Sequence, residues 1–220
     1  MKTHVAVIFD MDGVLIDSVK IHWQAMNEVL GAYGIHVADE ELPKYIGRPQ
    51  RSQLEQLSNE NGVELDYDTI NQRTTAIKRV LLENIQPKEG VVQLLTLLKD
   101  SNIPMAIATS NNRDEMEMRL TDAGIIDFFS KFVTEDDVTE HKPNPAVYLE
   151  AAKQLDADPS SCVVFEDAPA GVQAAKNANM TCIAVQTPFA KASDLKVADA
   201  VIASLADVNM SLINELINSK

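Results

Sequence analysis

Residues 5 to 18 read Val5-Ala6-Val7-Ile8-Phe9-Asp10-Met11-Asp12-Gly13-Val14-Leu15-Ile16-Asp17-Ser18. The run Val5 to Phe9 is apolar, β-branched and aromatic enough for a strand buried on both faces, as parallel strands are. Ligands of open parallel sheets gather at the carboxyl ends of the strands, and Asp10 stands at such an end. Two carboxylates two positions apart, lifted onto a turn that Gly13 permits, can face one ligand together. That is a site for attack, proton transfer and a divalent cation. The plainer alternative is a polar turn in which Asp tolerates tight backbone geometry. A calcium loop is excluded, because its further ligand positions and its glycine fall on Val14, Ile21 and Leu15. No phosphate loop of the GxxxxGK[ST] type occurs.

The chain has 220 residues, enough for one α/β domain or a core with a modest insertion. With 45 % hydrophobic and 24 % charged residues and no low-complexity tract, it has the composition of a globular protein. Asp10 and Asp12 interrupt the N-terminal apolar stretch far short of a signal peptide or membrane span, so a cytoplasmic location is expected. Cys162 and Cys182 lie beside apolar runs and are expected to be reduced core residues. A formal charge of −14 argues against nucleic acid and anionic membranes as partners. An anionic substrate would therefore need local cations, since screening beyond about 8 Å leaves near charges in control.

Residues from about 19 to 84 contain helical signals only. Trp23, Met26, Leu30 and Tyr33 recur at three-four-three spacing and Gly34 follows as a stop. Further helices are expected over 52–61, stopped by Gly62, over about 68–85, and over the shorter segment 39–45. From Pro87 the pattern alternates helices with short apolar runs at 105–108, 132–134, 162–165, 181–185 and 200–202. Such alternation implies right-handed βαβ units and a mainly parallel sheet. The first strand has to join it, because a lone buried strand cannot satisfy its backbone groups. The expected fold is thus α/β: a discontinuous Rossmann-like core, 1–17 with 87–220, and an inserted helical cap, 18–86, on two linkers that permit hinge motion.

Each later strand end carries its own polar residues. Thr109 and Ser110 lead through Asn111 and Asn112 into a helix, an arrangement that cradles an anion or merely caps the helix. Lys142 lies between His141 and Pro143, with Pro145 close behind, so its ammonium is restrained. Glu166 and Asp167 are adjacent acids followed by Ala168, Pro169, Ala170 and Gly171. Together with Asp10 and Asp12, they call for a hard cation such as Mg²⁺.

The series Asp-x-Asp-Gly, Thr, Lys-Pro, Glu-Asp, each after its own strand, resembles the haloacid dehalogenase superfamily over essentially the whole core. A helical insertion between the first two motifs is similar to the subgroup with a four-helix cap, which contains β-phosphoglucomutase and many sugar-phosphate and phosphoglycolate phosphatases. His141 replaces a usual glycine and Ala168 a frequent serine. The family's dehalogenases lack the second aspartate, so Asp12 points to phosphoryl transfer. The resemblance implies Asp10 as nucleophile and Asp12 as general acid–base, with Thr109, Ser110 and Lys142 on the phosphate. It further implies Mg²⁺ among Asp10, Asp12, Glu166 and Asp167, with Glu166 orienting the set. It places His22, the Ile46-Gly47-Arg48 turn, Arg51 and Lys78 as cap residues that contact substrate.

The function expected is that of a Mg²⁺-dependent phosphatase of small phosphorylated metabolites, sugar or polyol phosphates, acting through an aspartyl phosphate as a monomer. A β-phosphoglucomutase-type mutase is the alternative enzyme. A phosphoaspartate signalling module is the alternative from another class, though receivers are shorter and lack both the insertion and the late Glu-Asp pair.

Overall fold

The computed structural model describes residues 4–45, 50–82, 85–188, 190 and 193–218. It divides into two compact units, Met1–Asp17 with Ile85–Lys220, and Ser18–Asn84.

The first unit is built on a sheet of β1 (Ala6–Phe9), β2 (Met105–Ala108), β3 (Lys131–Val133), β4 (Cys162–Glu166), β5 (Thr181–Val185) and β6 (Ala200–Ile202). Every pairing is parallel and the order is β3-β2-β1-β4-β5-β6. All residues of β1, β2, β4 and β5 are buried, which explains why these strands are apolar without alternation. On one face, Ala6 and Ile8 share a core with Val147, Tyr148 and Ala151 of α6 (Ala146–Gln154) and with Val172 and Ala175 of α7 (Pro169–Asn177). Phe9 stacks on Phe165 at 5.0 Å between ring centroids, within the register that pairs them. The third strand begins one residue earlier than the sequence pattern suggests. Thr134 leaves it because its backbone and hydroxyl both donate to Asp137 Oδ2, at 2.8 and 2.9 Å.

The second unit contains α1 (Ser18–Leu30), α2 (Gln50–Asn61) and α3 (Tyr67–Leu82), with α1 packed against α3. The expected four-helix set needs correction. Asp39–Lys44 is a 3₁₀ segment, held by Glu41 N to Ala38 O and Tyr45 N to Leu42 O. Pro43 has no N–H to close an α turn. The second expected helix starts at Gln50 rather than 52, the third ends at Leu82 rather than 85, and residues 85 and 86 fall within the first unit.

In the first unit, the stretches flanking the insertion run side by side. Ile16 bridges Pro87, and Lys88 N donates to Leu15 O at 2.9 Å. The remaining helices of this unit are α4 (Val91–Asp100), α5 (Arg113–Asp122) and α8 (Met210–Asn218).

Candidate active site

Strand order reverses between β1 and β4: chain order runs outward through β2 to β3 on one side and through β5 to β6 on the other. A crevice at the carboxyl ends of the strands is expected at such a switch point. Asp10 follows β1 there, and Glu166 with Asp167 closes β4 beside it; Asp10 N donates to Phe165 O at 2.9 Å.

Lys142 joins the two acids. Its Nζ donates to Asp10 Oδ1 at 2.6 Å and to Glu166 Oε1 at 2.7 Å, with a longer bond to Ala108 O at 3.4 Å. Tyr148, buried beneath, donates its hydroxyl to the same Glu166 oxygen at 2.8 Å, and its ring lies 4.9 Å from the ammonium. The other Glu166 oxygen accepts from the backbone of Asp167 and of Ala168, both at 2.8 Å. Glu166 thus sits with each oxygen held twice at the N-terminal end of α7. Gly171 makes room for it, since a Cβ there would lie 1.6 Å from Oε1. Its carboxylate is engaged by Lys142, Tyr148 and the helix start.

Gly13 sets the other half. Its φ of +77° is a left-handed conformation, and a Cβ there would stand 1.9 Å from Asp167 Oδ2. Only a bare glycine lets the loop after β1 and the acid after β4 approach this closely. Lys88 Nζ donates to the Gly13 carbonyl. Burial lowers its pKa against the attraction of Asp167 and Asp17.

Burial pushes the Asp10 carboxyl up to about 7, against the pull of Lys142 and with Glu166 and Asp12 adding to the rise. Burial, with Glu166 and Asp10 alongside, also holds Asp167 well above the usual carboxylate range. For Lys142 burial opposes the charge, yet Asp10 and Glu166 more than offset it, and its pKa rises. The centre is short of positive charge. Asp10, Asp167 and the Asp12 carbonyl are hard oxygen donors of the kind Mg²⁺ takes, and that ion commonly uses only one or two carboxylates beside water and phosphate. Among the described residues no group of three or more His, Cys, Asp or Glu side chains gathers to hold a metal. The chemistry of the donors Asp10, Asp167 and the Asp12 carbonyl fits Mg²⁺.

Asp12 is held by two residues that sequence reasoning did not single out as site residues. Asn111 Nδ2 donates to Asp12 Oδ2 and, at 2.8 Å, to Thr109 Oγ1. Arg119 Nη1 lies 3.0 and 3.2 Å from the two Asp12 oxygens. Thr109 is buried, its backbone donating to Val133 O at 3.0 Å, whereas Ser110 is exposed. Asn112 caps α5 by accepting from Glu115 N at 2.9 Å, so the cap reading of this turn holds as well.

The structure brings together Asp10, Lys142 and Glu166 directly and ties Thr109 to Asp12 through Asn111. In the second unit, His22 stands half-buried, edge-on to Trp23, and Lys78 is half-buried on α3. Arg51 stacks its guanidinium 4.1 Å from the centre of the Tyr67 ring. Gly47 and Arg48 lie outside the described residues. The signal for Arg119 was a charge on the apolar stripe formed by Met116 and Leu120; Tyr148 and Lys88 carried none.

An all-parallel sheet with a lysine-bridged pair of acids at its switch point defines an α/β enzyme of the aspartate-centred kind. A sequence model of haloacid dehalogenase-like hydrolases matches residues 7–185, and the chain belongs to that family. It is 32% identical over 188 residues to the fructose-1-phosphate phosphatase YqaB of Escherichia coli, covering 84% of this chain and 98% of that protein. To the β-phosphoglucomutase of Bacillus subtilis it is 29% identical over 219 residues, covering 96% and 94%. A solved structure of a putative β-phosphoglucomutase from Thermotoga maritima superposes with a TM-score of 0.78 at 30% identity, covering 98% and 97%. Among the described residues, no helix is long and apolar enough to cross a membrane.

Proposed function

We propose that this enzyme is a Mg²⁺-dependent phosphatase of small phosphorylated metabolites, sugar or polyol phosphates, with Asp10 as nucleophile. The observation that carries this reading is Asp10 at the switch point, its Oδ1 2.6 Å from Lys142 Nζ, with a second carboxylate two residues on. An Asp10 oxygen bonds to phosphorus while the bond from phosphorus to the leaving oxygen breaks, and Asp12 gives that oxygen its proton. Water then attacks the aspartyl phosphate, Asp12 takes the water proton, and phosphate leaves with Asp10 restored. Lys142 and Thr109, with the amides after it, hold the phosphoryl oxygens. Asp10, Asp167 and the Asp12 carbonyl would hold Mg²⁺, which supplies positive charge between nucleophile and phosphate when bound. Glu166, restrained on both oxygens, keeps Lys142 in place.

Sugar phosphates are supported as substrates by the named activity of the E. coli relative. His22, Gly47, Arg48, Arg51 and Lys78 remain the candidate substrate contacts of the helical unit, and the proposed form of the enzyme is a monomer. A phosphate-release screen over phosphorylated metabolites with Mg²⁺, run beside Asp10→Asn, tests the reading. Release by the wild type and none by the variant is expected; a silent wild type sinks it. The similarity to β-phosphoglucomutases supports a second reading. With β-glucose 1-phosphate and a trace of the bisphosphate, glucose 6-phosphate formed without comparable free phosphate would establish the mutase instead.

A further inference from the structure

One face of α5 carries Met116, Arg119 and Leu120. The two apolar residues are fully buried, and Arg119 is only 3 % exposed. A guanidinium there loses its hydration, and the loss must be offset by partners. Its nitrogens are spent unevenly. Nη1 bridges both oxygens of Asp12, Nη2 donates to Glu115 Oε2 at 2.9 Å one turn earlier, and buried Nε has no hydrogen-bond partner among the described residues. Glu115 thus fixes the plane of the guanidinium, and one donor is forgone so that another reaches the carboxylate after β1.

We propose that Arg119 is the positioning residue of Asp12, setting where that carboxylate meets the leaving oxygen of the substrate. The proposal rests on the phosphatase reading above and adds to it a residue outside the four strand-end motifs. Asp12 stands on the loop that Gly13 turns, with its side chain about a quarter exposed (27%), so its two torsions need an outside restraint. A general acid has to lie within hydrogen-bond reach of the oxygen it protonates. Arg119 supplies the restraint from a buried helix face, with Asn111 on Asp12 Oδ2 as the second point. A lysine could not replace it, because one ammonium cannot present the planar fork that serves Glu115 and Asp12 at once.

The test uses leaving groups. A 4-nitrophenolate departs with little help from an acid, whereas the alkoxide of fructose 1-phosphate, or of the best sugar phosphate in the screen, needs its proton. Since kcat/KM covers steps only up to that departure, it isolates the acid's task. Arg119→Lys and Arg119→Met should lower kcat/KM on the sugar phosphate roughly 10²-fold, the scale of a displaced catalytic group. They should lower it no more than about fivefold on 4-nitrophenyl phosphate, where acid assistance counts for little. In an Asp12→Asn background, either substitution should add no further loss. Equal losses on both esters, no loss on either, or a further loss in the double variant would overturn the role. Arg119→Lys keeps the test valid if Arg119→Met fails to fold, as checked by thermal melting. A wild type silent on every ester refutes the phosphatase reading and the role built on it; an active wild type with equal losses refutes the role alone.

Discussion

In protein stripped of divalent metal, raising the pH should weaken the fold through Asp10, and Asp10→Asn should abolish that weakening. The unfolded carboxyl titrates near 3.8 and the folded one at about 7. Between those values the native state holds a proton that the unfolded state has lost, so stability falls with rising pH. The contribution of protonated Asp10 is complete below the unfolded value and is lost as pH rises through the folded one. A rise from 3.8 to about 7, at about 1.4 kcal/mol per unit, is worth about 4 kcal/mol. Asp10 is only 8% exposed, so solvent screening removes little of this. About 3 kcal/mol of it falls between pH 5 and 8. With urea slopes of about 2–3 kcal/mol per molar, the wild-type midpoint should drop by roughly 1 M relative to the variant over that range. Urea melts of both proteins in EDTA at pH 5 and pH 8 provide the measurement. Asp167 contributes with the same sign, and the difference between the two proteins includes the part of its rise that the Asp10 charge causes. Mg²⁺ at a hundred times its dissociation constant should return about 2.7 kcal/mol to the wild type at pH 8. Parallel pH dependence of the two proteins would refute the claim that Asp10 is held under desolvation strain.

Gly13→Ala places a methyl group against the Asp167 carboxylate and forces an L residue into a left-handed turn, which alone costs about 1–2 kcal/mol. Weaker Mg²⁺ binding by calorimetry is the expected outcome, and an unchanged isotherm would show that Asp167 does not need this approach. Tyr148→Phe keeps the ring over Lys142 but takes a donor from buried Glu166, at about 1.5–3 kcal/mol for a bond to a charged group. The melting temperature should fall by 2–4 °C for each kcal/mol, roughly, and no fall would mean that water replaces the hydroxyl. Asp167→Asn should raise the Mg²⁺ concentration that activity requires, and an unchanged titration would remove Asp167 from the metal site.

The strand ends were legible because a parallel sheet leaves a signature at each one: an apolar run, then a polar residue with a task. Asp10, Thr109, Lys142 and the Glu166-Asp167 pair all follow such runs, and four of them are joined or adjacent in the structure. What could not be seen arrives from helix faces and linkers. Asn111 and Arg119 meet Asp12 across 99 and 107 residues of chain, and no local pattern encodes which turn of α5 faces the loop after β1. Tyr148 looks like any aromatic residue of a core helix until its hydroxyl is found on Glu166. The partners of Glu166 were hidden for a related reason. Composition counts carboxylates, whereas the helix start of α7 and a buried tyrosine decide which of them is already engaged.

The central place of β1 in the sheet also fixes an order of events during synthesis. This strand is the first made, yet its neighbours are the strands that begin at Met105 and Cys162, and Ala6 pairs with Cys162 itself. At about 5–20 residues per second, about 8 to 30 s separate the two on the ribosome. Until Met105 is made both hydrogen-bonding edges of this apolar segment lack their partners, and until Cys162 is made one of them still does, while the helices of Ser18–Asn84 need only neighbours already made. Asp10, at the end of this strand, therefore meets its backbone partner Phe165 only after β4 has been made.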